Sequence, residues 1–277
     1  MGEDIKRTAD RFSNRVPKEE GRALYAPLWG GGVPDAFSLL GNGTKEVGNE
    51  EKGIKRWKTG SYADIGARGD INGSHGGMVA IRRLQKEYFP EAKVITNSYN
   101  AATPDGRWPE ERHAEVAAAE FRAADISVIM QEESFSTFTE LLNNIRLAEE
   151  NGWKHLVIFT NGAQVGRTRA MLEHIDDQKA EHLRKRIDTP EKRAKFKLDP
   201  YLQRRATGEV KISVVAAEDA LERMSERYAR LVQNVKETPL YQESKARQDA
   251  AIPELEAGTY GTKPLPITLT GDDGKKK

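Results

Sequence analysis

A chain of 277 residues can form one large α/β domain or one domain carrying an appendage. Its 44 lysines and arginines balance 43 aspartates and glutamates, with the two signs interleaved, which argues against nucleic acid or an anionic membrane surface as the main partner. The absence of cysteine excludes disulfides, thiolate metal sites and a cysteine nucleophile.

The charged amino terminus is followed by no apolar stretch, and no later apolar run approaches the ~20 residues that span a bilayer, so the expectation is a cytoplasmic protein with no membrane contact. Five short apolar or β-branched runs then read as strands, at 24–29, 93–96, 126–130, 156–160 and 211–215. None alternates cleanly, as expected when both faces of a parallel sheet are covered. Helical patterns lie between them. Residues 73–88 put Met78, Ile81 and Leu84 on one face, and 109–123 open on a proline and continue rich in alanine and glutamate. Thr137 to Glu140 has the form of a capping box ahead of an apolar face built by Leu141, Leu142, Ile145 and Leu147, and Asn151-Gly152 closes that helix. A further amphipathic helix is expected at 217–235.

Strand and helix in repeated order predict a Rossmann-like three-layer α/β sandwich with a mostly parallel sheet. The expected organisation is a core over 1–175 interrupted by an inserted loop at 33–70, a charged helical excursion at 176–208, a last strand and helix over 209–252 that complete the core, and a weakly structured tail at 253–277.

In open α/β sheets a small ligand sits beyond the carboxyl ends of the strands. That rule selects Gly30, Gly31 and Gly32 after the first expected strand, Asn97 and Ser98 after the second, Glu132, Glu133, Ser134, Ser136 and Thr137 after the third, and Thr160 and Asn161 after the fourth. The three glycines permit close backbone approach to a ligand or form a plain turn, and they match neither a dinucleotide fingerprint nor a phosphate-binding loop with its lysine. Asn97 and Ser98 suit a turn or cap as well as a ligand contact. At the third junction two carboxylates gather with three hydroxyls, and Ser136 or Thr137 alone suffices as the cap. Arg167 and Arg169, near the next helix start, can face a carboxylate or phosphate, or form surface ion pairs. Glu111 and Glu115 share a helical face that reads as solvated or, for Glu115, as a source of a general base. The five histidines show no metal-ligand spacing, and neither Ser98 nor Ser134 sits in a nucleophile elbow.

The third and fourth junctions carry a resemblance. A strand followed by Gln131-Glu-Glu-Ser-Phe-Ser-Thr137 opening a helix, then a strand ending at Thr160 and an Arg169-Ala170 pair, resembles the YdcF-like domain family, which includes the SanA and ElyC proteins. Within the resemblance, which spans roughly 24–175, Gly30 to Gly32 look like the family's glycine-rich turn and Glu115 or Glu111 like its helical glutamate. Ser136 stands where asparagine is usual, and the histidine before the Arg-Ala pair is missing. The resemblance implies a Rossmann-like domain with a polar cleft and a link to S-adenosylmethionine or a nucleotide. Glu132, Glu133 or Glu115 would serve as base or ribose ligand if the protein is a transferase or hydrolase. The other reading is an inactive binding or scaffold protein that meets a protein partner through its charged carboxyl-terminal region.

Overall fold

The structure, a computed structural model, describes residues 17–41, 44–46, 57–59, 74–97, 113–131, 134, 136–176, 183, 204 and 206–260. Five parallel strands form the main sheet: β1 (Ala36–Leu39), β4 (Lys93–Asn97), β5 (Val128–Gln131), β6 (His155–Thr160) and β7 (Lys211–Ala216), in the spatial order β5-β4-β1-β6-β7. Two further short strands, β2 (Thr44–Glu46) and β3 (Trp57–Thr59), pair antiparallel as a separate two-stranded sheet. The expected Rossmann-like α/β sandwich is therefore the fold. Four of its five strands fall where the sequence predicts them.

The first strand does not. Residues 24–29 are helical: α1 (Lys18–Tyr25) runs into a 3-10 turn (Ala26–Trp29), which Gly30 closes in the left-handed region at φ 74°. The apolar run is a helical stripe, with Tyr25 and Trp29 four residues apart and both buried. Tyr25 packs on Tyr88, and Trp29 meets Phe37 and Phe89 edge to face. Pro27, which cannot donate to a strand ladder, fits the first turn of a helix instead. The central strand is Ala36–Leu39, inside the segment expected to be an insertion; alanine and serine at two of its four positions hide its strand character.

Alternate residues of the strands divide the core between two faces. Phe37, Leu39, Val94, Val157, Phe159 and Val215 face α1, α2 (Ser74–Arg83), α3 (His113–Arg122) and α6 (Ala217–Met224). Ala36, Ile95, Leu156, Ile158 and Val214 face α4 (Thr137–Glu150) and α5 (Gly162–Glu173). Ser38 shares the second face by the same alternation, which turns a hydroxyl from the middle of the sheet towards α4. The expected helix at 217–235 is two helices, because Ser225 has an extended backbone and caps α7 (Glu226–Lys236) by accepting the Tyr228 N–H. Two more helices follow, α8 (Pro239–Asp249) and α9 (Ala251–Glu256), so the expected tail begins with a helical turn whose Leu255 is buried against the second core face.

The connection from β1 through α2 covers one face and that from β5 through α4 covers the other, so the sheet's switch point lies between β1 and β6. The insertion at 33–70, the excursion at 176–208 and the tail at 253–277 lie largely outside the described residues. No helix among the described residues is long and apolar enough to cross a membrane.

Candidate functional site

Gly30, Gly31 and Gly32 sit at the wrong end of the sheet for a ligand above the strand carboxyl ends. Lys211 and His155 are the first residues of β7 and β6, and the turn meets both: Lys211 Nζ donates to Gly30 O at 2.9 Å, and a side-chain carbon at Gly32 would lie 3.5 Å from His155 Nδ1. All three glycines have positive φ. They are a structural turn ahead of β1, not the ligand loop expected after a strand, because the first strand begins only at Ala36. Burial, with the Lys211 charge beside it, pushes the His155 imidazole down to about 4.

Arg169 is also committed elsewhere, since its Nε and Nη2 donate to Val214 O of β7 at 3.1 and 2.8 Å. Thr160 Oγ1 donates to Gln164 Oε1, and Asn161 caps α5 by accepting the Gln164 N–H at 3.0 Å. These two residues lie at the expected end of the sheet but shape α5. Glu115 occupies the first turn of α3. Glu132, Glu133, Ser98 and Glu111 lie outside the described residues.

The remaining expected residues converge on α4. Its capping box is Ser136 with Thr139: Ser136 Oγ accepts the Thr139 N–H at 3.3 Å, and the Ser136 N–H donates to Thr139 Oγ1 at 3.0 Å. The box expected at Thr137 and Glu140 is thus shifted by one residue, which releases Glu140 from capping. Its Oε1 instead accepts the N–H of Gly41, just beyond β1, at 2.9 Å. Asn144, one turn further along α4, donates to Asn97 Oδ1 at 3.2 Å and accepts from Ser38 Oγ at 2.8 Å. Asn97 Nδ2 donates in turn to Ser38 Oγ and Leu39 O. Asn143 reaches the other way, donating at 3.1 Å to Ser134 Oγ, which donates at 2.6 Å to Gln131 Oε1. Three polar residues of one helix therefore bind the ends of β1, β4 and β5, and Ser38, Asn97, Glu140, Asn143 and Asn144 are all fully buried.

The electrostatics follow from that burial. Glu140 is pushed up to about 8 by desolvation, against the opposing pull of the Gly41 N–H and the Arg167 charge, so its carboxyl is protonated at neutral pH. Arg167 donates to Thr137 Oγ1 and Tyr260 OH, each at 3.2 Å. At the amino terminus of α5, Glu218 is pushed up to about 7, again by burial, while its Oε2 accepts the Gly162 N–H at 2.7 Å. His113, buried at the start of α3, has Nδ1 2.7 Å from Asn97 O. A carbonyl only accepts, so Nδ1 carries the proton; burial lowers the ring's pKa, leaving a neutral imidazole with its lone pair on Nε2.

Several of these atoms have no hydrogen-bond partner among the described residues: Glu140 Oε2, Asn143 Oδ1, Gln131 Nε2, His113 Nε2 and Glu218 Oε1. Buried polar atoms are normally paired, and unpaired ones concentrate where a protein acts. None of these five residues is among those selected by the rule of strand carboxyl ends. Asn143-Asn144 in the middle of a helix with an apolar face was the available signal, since two buried carboxamides oppose helix propensity and require partners. Among the described residues no group of three or more histidine or carboxylate side chains is placed to hold a metal ion.

Comparison with known proteins finds no family model, no curated protein and no solved structure that matches the chain.

Proposed function

We propose that this Rossmann-like protein binds a small nucleotide-like ligand above the carboxyl ends of β1, β4, β5 and β6, at the amino-terminal turn of α4. The observation that carries the reading is the gathering of buried, unpartnered polar atoms there, above all Glu140 Oε2, on a carboxyl whose other oxygen is held by Gly41. Such atoms have a large desolvation cost until something binds them. Arg167 beside them suits a carboxylate or phosphate, and the switch point between β1 and β6 is where open α/β sheets hold ligands.

S-adenosylmethionine, implied by the YdcF-like resemblance, fits this residue set in kind: Arg167 would take its carboxylate, and the buried carboxamide and carboxyl atoms would take polar atoms of its nucleoside. When bound, such a cofactor would supply an electrophilic methyl group. Protonated Glu140 would donate a hydrogen bond from Oε2, and neutral His113 would accept one at Nε2, the pairing a transferase or hydrolase needs for moving a proton. Isothermal titration of the full chain with S-adenosylmethionine and a panel of nucleotides, paired with thermal shift, tests the reading. Saturable heat and a raised melting temperature are expected for at least one ligand, and their absence across the panel overturns it.

A further inference from the structure

Resting on the ligand-binding reading above, we propose that Gln131 and Asn143, aligned through Ser134, recognise an amide-type edge of the ligand, one hydrogen-bond donor beside one acceptor, as carried by a nucleobase or a carboxamide. Gln131 is the last residue of β5 and Asn143 lies on α4, so two separate elements deliver the side chains, which are 3 % and 0 % exposed. Both meet the Ser134 hydroxyl, Gln131 through Oε1 at 2.6 Å and Asn143 through Nδ2 at 3.1 Å. The outer atom of each carboxamide, Gln131 Nε2 and Asn143 Oδ1, is buried with no partner among the described residues.

The class of ligand follows from counting protons. A hydroxyl has one to give, so Ser134 donates to at most one of the two carboxamides. The 2.6 Å contact has the length of an O–H···O bond and the 3.1 Å contact that of an N–H···O bond, which places oxygen inward on Gln131 and nitrogen inward on Asn143. The outer atoms are then one donor and one acceptor. Turning both carboxamides over exchanges the two roles and leaves the same pair. An apolar group would satisfy neither atom, and a phosphate or carboxylate would satisfy Gln131 while setting a second acceptor against Asn143 Oδ1. An amide-type edge satisfies both, and Arg167 remains for whatever anionic group the ligand carries.

The test is calorimetric titration of the full chain with three matched pairs in which one member lacks the donor or the amide: adenosine and purine riboside, cytidine and pyrimidin-2-one riboside, nicotinamide and 3-acetylpyridine. In at least one pair the complete member binds about tenfold or more tightly than its analogue, because the analogue leaves a buried acceptor unpaired. Asn143→Leu brings that pair within about twofold, since the acceptor that discriminates is gone. Ser134→Ala, a smaller change that frees both carboxamides to rotate, also erodes the difference and decides the matter if Asn143→Leu does not fold. Equal binding of both members by the native protein overturns this assignment while leaving ligand binding intact, as does discrimination that survives Ser134→Ala. No heat from any pair or from the nucleotide panel overturns the ligand-binding reading and this one with it.

Discussion

Glu140 accepts the backbone N–H of Gly41 on Oε1 at 2.9 Å, while Oε2 is buried without a partner among the described residues. One carboxyl thus joins the end of the central strand to the first turn of α4, and burial holds it protonated up to about 8. Its pKa in the folded chain exceeds the unfolded value, so the folded state binds the extra proton across the interval between them. The stability this proton contributes is complete below about 4.5 and is lost as pH rises through about 8. At ~1.4 kcal/mol per pKa unit the loss amounts to roughly 3–5 kcal/mol. Glu140→Gln keeps an oxygen for Gly41 and cannot ionise. Urea melts at pH 5 and pH 9 should show the native chain losing several kcal/mol more than the variant, and parallel pH profiles for the two would refute the assignment.

Arg167 moderates that carboxyl. Its charge pulls Glu140 downward while its guanidinium is held by the Thr137 and Tyr260 hydroxyls. Arg167→Met removes the charge and keeps most of the aliphatic stem, so the Glu140 midpoint should move above its native value, followed by carbon-13 NMR of the glutamate carboxyls. A midpoint that stays still or falls would show the two side chains to be uncoupled in solution.

Much of the fold was legible because the buried strands of a parallel sheet are short apolar runs between helical stretches, and residues 93–97, 128–131, 155–160 and 211–216 meet that description. The central strand was not, since Ala36-Phe-Ser-Leu39 carries a hydroxyl in its middle and follows a helical run more apolar than itself. That single displacement carried Gly30 to Gly32 to the wrong end of the sheet. The rule that strands deliver their ends to a ligand selects Asn97, Ser134 and Thr137, which the structure brings against α4 and α5 through Asn144, Asn143 and Arg167. Glu140, Asn143 and Asn144, which bind those same strand ends, fall outside the rule because it ignores the helix that covers them. Their role depends on which strand α4 crosses, and spacing within α4 does not record that.

His113, one of five histidines without metal-ligand spacing in the sequence, is buried, with Nδ1 donating to Asn97 O. The ring should be in the Nδ1-protonated neutral form at pH 7, since burial lowers its pKa below that of an exposed histidine. Nitrogen-15 NMR of the imidazole should show one protonated and one bare nitrogen at that pH. A doubly protonated ring would contradict the buried geometry. His113→Phe, which removes the side-chain donor to the Asn97 carbonyl, should cost about 1–3 kcal/mol in a denaturant melt.

The approach of α2 to the central strand rests on Gly77. A side-chain carbon there would fall 2.5 Å from Leu39 Cδ1, with Phe159 and Ala217 carbons just beyond at 3.8 and 3.9 Å. Two effects oppose each other in Gly77→Ala. The helix gains about 0.5–1 kcal/mol from replacing glycine in its interior. Against that, Leu39 is fully buried and central, so it cannot swing away without disturbing β1 against its neighbours, and such overpacking costs about 1–3 kcal/mol. The clash should prevail, giving a chain less stable by about 1–2 kcal/mol. Because Leu39 lies two residues before Gly41, the displacement should also disturb the N–H that holds Glu140. A companion variant, Leu39→Val, shortens the obstructing side chain and should recover part of the loss when combined with Gly77→Ala, a coupling that a double-mutant cycle in urea reads directly. Strict additivity of the two substitutions would mean that the helix clears the strand by some other contact.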